Sequence, residues 1–208
     1  MDSEPSIFSP APLRLEGHGL VLREWDDGDI PALAGLYEDP EIDRWTPVPS
    51  PFDESAALAY LAGARKGRAE ERAVHLAVTT DGYTPLGEVL FFPGDPGDPG
   101  GSGDPGDSRA PGASGGRDVE LAYGIGSRYR RRGLASRAVQ LVGEHLYRHR
   151  ATGRVLLRIE ADNVASAAVA RSAGFRLTGE QPLVRAAKGR EVVLHTWCHQ
   201  RVPGAAPS

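Results

Sequence analysis

The sequence predicts an α/β (α+β) domain with a mixed central sheet of about six to seven strands flanked by about four helices. Three observations carry this. Period-2 and continuous apolar runs alternate with runs of helical period. Their order is strand, helix, helix, three strands, helix, strand, helix, two strands, which suits neither an all-helical nor an all-β architecture. And a strongly amphipathic helical run stands between two strand runs.

LVLREW (20–25) reads as the first strand, and DDGD behind it as a turn. IPALAGLYED (30–39) has proline in its first turn and apolar residues at helical spacing, so it reads as a short helix. A proline-punctuated loop around RWTPVPSPF follows, and Asp53 opens a second helix as its cap. AVHLAVTT and LGEVLFF (73–80 and 86–92), with DGY between them, give a hairpin. VELAYGI (119–125) and RVLLRIEA (154–161) are strands, the second apolar enough for a central position. Between them LASRAVQLVGEHLYRHR (134–150) places Leu134, Ala138, Leu141, Val142 and Leu146 on one helical face. NVASAAVARSAG (163–174) is a helix stopped by Gly174, and two strands around an Ala-Lys-Gly turn close the domain.

The domain spans 13–200, between tails at 1–12 and 201–208. It is interrupted at 93–118, where nine of 26 residues are Gly, five are Pro and none is large and apolar. Such a stretch cannot offset its ordering entropy by burial, so it is expected to be a disordered insertion within one domain. Loop closure grows only with the logarithm of length, which makes the insertion cheap.

The chain has 208 residues and a formal net charge of −4. An acidic total argues against a general nucleic-acid binder. Cys198 is the single cysteine, which excludes an internal disulfide. The proline-rich start has no apolar stretch to serve as a secretory signal, and no window approaches the roughly 18 apolar residues of a membrane span. A cytoplasmic protein without membrane partner is the expectation. Nothing chooses between a monomer and a homodimer.

Against that acidic total, Ser127–Arg137 holds five arginines in eleven residues. This run joins a strand to the first turn of a helix, where unpaired N–H groups and about half a positive charge meet an anion. Gly133 lets a ligand reach the backbone, and Ala135 keeps the first turn slim. A strand, a basic turn with a central glycine and a helix make a phosphate seat. Neither the Gly-Lys-Ser/Thr of a P-loop nor a three-glycine dinucleotide fingerprint is present.

RYRRRGLA resembles the Arg/Gln-x-x-Gly-x-Gly/Ala pyrophosphate loop of the GNAT superfamily of acyl-CoA N-acyltransferases, with Arg130, Gly133 and Ala135 on its defining positions. NVASAAVARSAGF resembles the second signature of that family, and VELAYGI the strand that carries the pantetheine arm. With the opening LVLREW…DI, residues 20–199 are similar to the RimJ/RimL-like branch. The resemblance implies a GNAT fold whose sheet is splayed between its fourth and fifth strands. It also implies acetyl-CoA as co-substrate, no metal, and direct attack by an amine in a ternary complex.

The implied roles fall on particular residues. Backbone N–H groups of Arg131, Arg132, Gly133, Leu134 and Ala135 would hold the pyrophosphate, with Arg130 and Arg132 adding charge. Tyr123, Ile125 and Ser127 would line the pantetheine, and a backbone N–H there would stabilise charge on the acyl oxygen. Asn163 would bond the pantetheine arm, and it equally suits a helix cap. Glu120 is the candidate base, and a surface Glu paired with one of the arginines is the alternative. The tyrosine many members carry seven residues after the Asn is Ala170 here, and Ser166 is the candidate proton donor to the leaving thiolate. Glu41, Asp43 and Trp45 lie in the loop that faces the acceptor.

A lysine amine of pKa about 10.4 pays roughly 4 kcal/mol to be neutral at pH 7, and an α-amine near 8 only about 1. A site with one candidate base therefore favours a protein N-terminal α-amine or a small-molecule amine. A longer acyl donor such as succinyl-CoA, a non-catalytic CoA sensor and a nucleic-acid module are the competing readings. His195, Cys198 and His199 do not read as a metal site, because alternation sends Cys198 to the opposite face.

Overall fold

Residues 7–9, 11–94, 117–149 and 152–199 are described in the computed structural model. Among them the chain forms nine strands and five α-helices. The strands are β1 Arg14–Gly17, β2 Leu20–Glu24, β3 Val74–Thr79, β4 Gly87–Pro93, β5 Arg117–Ile125, β6 Thr152–Glu160, β7 Arg176–Leu177, β8 Leu183–Ala187 and β9 Arg190–His199. The helices are α1 Ile30–Tyr37, α2 Pro40–Trp45, α3 Glu54–Ala69, α4 Leu134–Arg148 and α5 Val164–Ser172.

One sheet runs β1-β2-β3-β4-β5-β6-β9-β7, with β8 on β9. Only the β5–β6 pair is parallel. The mixed sheet is as expected, with more strands than six or seven and one helix more than four. The insertion, apart from its ends, and the tail at 201–208 lie outside the described residues. β4 and β5, on either side of that insertion, pair from Gly87–Ile125 to Pro93–Val119 and so belong to one sheet.

Alternation along the strands divides the molecule into two cores. Leu76, Val89, Phe91, Val119, Leu121, Val155, Leu157 and Trp197 face α4 and α5, where the expected stripe of Leu134, Ala138, Leu141, Val142 and Leu146 is buried. On the opposite face Trp25, Leu33, Leu36, Tyr37, Phe52, Ala57 and Leu61 pack α1 and α3 against the sheet. Asp53 caps α3 by accepting from the Ala56 N–H at 2.8 Å.

Three departures have local causes. β1 is only four residues long and joins β2 through His18 and Gly19, both at positive φ, a tight hairpin that a reading from Leu20 passes over. Residues 40–45, read as loop, form α2: Asp39 caps it through the Glu41 N–H at 2.9 Å and Pro40 opens it. Ile7 and Phe8, placed in the tail at 1–12, are buried, with the Phe8 ring 5.8 Å from that of Phe91.

Glu88 belongs to β4 and is fully buried beneath α1 and α3. Its carboxylate accepts from Trp25 Nε1 at 3.0 Å, Tyr60 Oη at 2.8 Å and Tyr37 Oη, and lies 3.2 Å from His75 Nδ1. Burial and the Glu88 charge push both phenols well above their usual range, so they remain donors. α1, α3, β3 and the segment just after β2 are thereby tied to one carboxylate. Glu88→Ala strands at least three buried donors, so a loss of about 3 kcal/mol or more is expected. In a chain of this size that is a fall in melting temperature of roughly 6–12 °C. Thermal unfolding followed by circular dichroism measures it.

Candidate active site

The parallel ladder between β5 and β6 is short. Val119 pairs with Val155, Glu120 with Leu156 and Leu121 with Leu157, and there the pairing stops. β5 continues to Ile125 along β4, and β6 to Glu160 along β9, so the two strands part while each keeps its outer neighbour. This is the expected splay, displaced by one in strand number because β1 precedes it.

The arginine-rich turn closes the end of β5. Ser127–Tyr129 form a single 3-10 turn and α4 starts at Leu134. Arg131 and Gly133 both sit at positive φ, +59° and +69°. No side chain caps the first turn of α4, and residues 131–133 are exposed. Leu134 is buried in the core, so it offers the turn only its backbone.

The arginines differ in use. Arg130 donates from Nε to the Ile125 carbonyl at 2.9 Å and pairs with Asp39 at 3.2 Å and with Glu41. The Ser127 N–H also donates to Asp39, at 3.1 Å. Burial alone would raise the Asp39 carboxyl, but hydrogen bonds from Glu41 and Ser127 and the Arg130 charge outweigh it and hold it below its usual range. Arg137 reaches the His18 carbonyl at 2.7 Å. Arg130 and Arg137 thus fasten the turn to α2 and to the β1–β2 hairpin. Arg132 lies over the Tyr129 ring at 5.9 Å, and its exposed neighbour Arg131 leaves a second cation at the helix start.

On the α4–α5 side of the parting lie Ile125, buried, and Tyr123, partly buried. Asn163 caps α5: its Oδ1 accepts from the Ser166 N–H at 2.9 Å. The Ser166 hydroxyl stands 2.7 Å from Tyr123 Oη. Burial, partly offset by that hydrogen bond, pushes the phenol up to about 12. Ala170 is fully buried in the core.

On the opposite side lies Glu120, 5% exposed. Its oxygens face Arg158 Nε at 3.6 Å and Arg185 Nη1 at 3.5 Å. These partners come from β6 and β8, not from the turn. α2 borders the same side: Gly124 has no Cβ where Ile42 approaches, since one would stand 3.0 Å from Ile42 Cδ1. Glu41, Asp43 and Trp45 are therefore on a helix rather than in a loop. Glu41 pairs with Arg130, Asp43 with Lys188 at 2.5 Å, and Trp45 lies under the Arg44 guanidinium at 4.5 Å. Arg190 donates to the Arg44 carbonyl at 3.1 Å, so the β8–β9 hairpin docks on α2. Arg158, Arg185 and Lys188 were not singled out in the sequence. Alternation with Leu157 and Ile159 assigns the face of Arg158, but its partners are remote in sequence.

His195, Cys198 and His199 all belong to β9. His199 packs against Tyr147 and Phe175, and burial pushes the Cys198 thiol up to about 11. Among the described residues no group of three His, Cys, Asp or Glu is placed to hold a metal, and no helix is long and apolar enough to cross a membrane.

A parallel pair that parts near the uncapped start of a helix can take an extended ligand with an anionic end. Residues 19–176 match the family model of the acetyltransferase (GNAT) domain, and the chain belongs to that family. Among solved structures it is similar to the Salmonella typhimurium acetyltransferase that modifies the N-terminal serine of ribosomal protein L7/L12, with 16% identity, 91% of this chain and 100% of that one covered, and TM-score 0.70. Mycobacterium smegmatis RimJ in complex with CoA-disulfide follows, with 17% identity, coverage of 91% and 86%, and TM-score 0.69. The microcin C7 self-immunity acetyltransferase MccE, in complex with acetyl-CoA and AMP, has 15% identity, coverage of 89% and 94%, and TM-score 0.70. At these identities the likeness is one of fold. No curated protein matches the sequence.

The positive φ at Gly133 carries a stability expectation. Gly133→Ala is expected to lose about 1–2 kcal/mol, the cost of a Cβ in the left-handed region, and Gly133→Asn distinctly less. Urea unfolding of the two variants distinguishes them.

Proposed function

We propose that the chain transfers an acetyl group from acetyl-CoA to a primary amine, a protein N-terminal α-amine or that of a small molecule. One observation carries the reading: β5 and β6 part beyond Leu121–Leu157, and β5 leads through the arginine turn into the uncapped, glycine-led start of α4. The residues present fit the co-substrate. Backbone N–H groups of Arg131–Ala135, with Arg132 and Arg131 beside them, suit a pyrophosphate. The parted edges of β5 and β6 suit the amides of a pantetheine arm, with Tyr123, Ile125 and Ser127 along β5 and the free amide of Asn163 at α5. Arg130, held by Asp39 and Glu41, shapes this seat more than it charges it.

Bound there, acetyl-CoA supplies an acyl group activated as a thioester. The chain does the rest by placement. A β5 backbone N–H at the parting stabilises negative charge on the acyl oxygen. Glu120, steered by Arg158 and Arg185, takes the proton of the amine, directly or through water. Ser166 donates to the sulfur as the carbon–sulfur bond breaks. Trp45 and α2, braced by Glu41 and Asp43 through their ion pairs, wall the acceptor side. The reported action of the Salmonella neighbour on an N-terminal serine supports an α-amine acceptor.

Three outcomes are expected. A CoA-release assay over peptide α-amines, lysine peptides, polyamines and aminoglycosides should favour an α-amine or another amine of low pKa, and a clear lysine preference would sink that choice. Glu120→Gln and Ser166→Ala should each lose rate, on the order of 10²-fold for the base, while binding CoA with unchanged affinity by calorimetry. A CoA sensor without turnover would show no rate to lose. Gly133→Glu, which places a carboxylate at the pyrophosphate seat, should abolish CoA binding.

A further inference from the structure

The Tyr123–Ser166 hydrogen bond joins the two walls of the parted strands. Tyr123 belongs to β5, two residues past the last paired position, Leu121. Ser166 belongs to the first turn of α5, which starts four residues after β6 ends at Glu160. Their oxygens are 2.7 Å apart, and Tyr123 Oη also lies 3.3 Å from the Ser166 carbonyl oxygen.

Each hydroxyl has one hydrogen, so the direction of this bond decides what Ser166 offers. A phenol is far more acidic than an aliphatic alcohol and is the better donor; the alcohol is the better acceptor. The raised phenol pKa keeps the Tyr123 proton in place throughout the neutral range. With Tyr123 donating to Oγ, and weakly to the Ser166 carbonyl, the serine keeps its own hydrogen for a third group. In the reverse direction that hydrogen would be spent on the tyrosine. The Ser166 N–H is already committed to Asn163, so the backbone around the hydroxyl is fixed as well.

Resting on the reading of Ser166 given above, we infer that Tyr123 is a positioning residue that turns the Ser166 hydroxyl hydrogen toward the departing CoA sulfur. The electron pair of the broken carbon–sulfur bond goes to sulfur, and the amine proton goes to Glu120 or water. The thiolate is held by the serine hydrogen bond. Tyr123 gives up no proton: a thiolate whose acid has a pKa near ~8.5 is too weak a base to take one from this phenol.

The test reads the ionisation of CoA bound to the full chain, by the ultraviolet absorbance of the thiolate as pH is raised, with desulfo-CoA as blank. The wild-type chain should lower the thiol pKa relative to free CoA. Ser166→Ala should raise the bound value, reducing the ionisation constant by roughly three- to tenfold, the size of one net hydrogen bond. Tyr123→Phe keeps the ring and should raise it as much, and the double variant should go no further. With acetyl-CoA, Tyr123→Phe should lower kcat and leave KM unchanged. If Tyr123→Phe titrates like wild type while Ser166→Ala does not, the positioning role falls and Ser166 stands. If neither variant moves the titration, the role of both in thiolate stabilisation falls, with CoA binding intact. If the wild-type chain does not bind CoA, the proposed function falls with it.

Discussion

The parting of β5 from β6 is the constraint on which the rest of the molecule depends. A sheet interior normally leaves no backbone donor or acceptor unspent. Here two central strands abandon each other after Leu121–Leu157, yet each keeps a full partner on its outer side, β4 for one and β9 for the other. The opening is thus rigid on both flanks, and the unpaired edges belong to well-anchored strands. Its surroundings follow from it. α4 starts at its head, α5 and Tyr123 border it on one face, and α2 with the β8–β9 hairpin borders it on the other.

Charge is used around this opening with little waste. The run of arginines in Ser127–Arg137 suggests an anion patch when counted, but two of its members act as fasteners, Arg130 to Asp39 and Glu41, and Arg137 to the His18 carbonyl. The proposed anion seat is then left to backbone N–H groups and the exposed Arg131 and Arg132. Across the sheet, Glu41 and Asp43 are themselves occupied by Arg130 and Lys188. They brace α2, while Glu120 stands between Arg158 and Arg185 on that face. Glu88, deeper under α1 and α3, ties Trp25, Tyr37, Tyr60 and His75 into one buried network that holds these helices to the sheet.

Much of this was legible in the residues because it is governed by local rules. The α4 stripe follows from a 3.6 period, the Asn163 cap from its position before an alanine-rich run, and the strand–turn–helix junction from Gly133 between Ile125 and Leu134. What was missed depends on contacts remote in sequence or on very short elements. α2 has six residues and only two large apolar ones, so periodicity is silent, although Asp39-Pro40 is itself a start signal. Phe8 sits in a proline-rich run whose composition hides a buried ring. Nothing in LGEVLFF reveals that Glu88 meets four partners arriving from elsewhere. The alternative offered for Glu120, a partner among the arginines of the turn, had the right chemistry and the wrong arginines.

The most direct test of the account is amide hydrogen exchange of the full chain with and without CoA. If the parted strands and the head of α4 are the cofactor seat, CoA should slow exchange at Tyr123–Gly124 and at Arg131–Ser136, leaving β1–β3 unchanged. Protection confined to other elements, or none at these residues under saturating CoA, would contradict it.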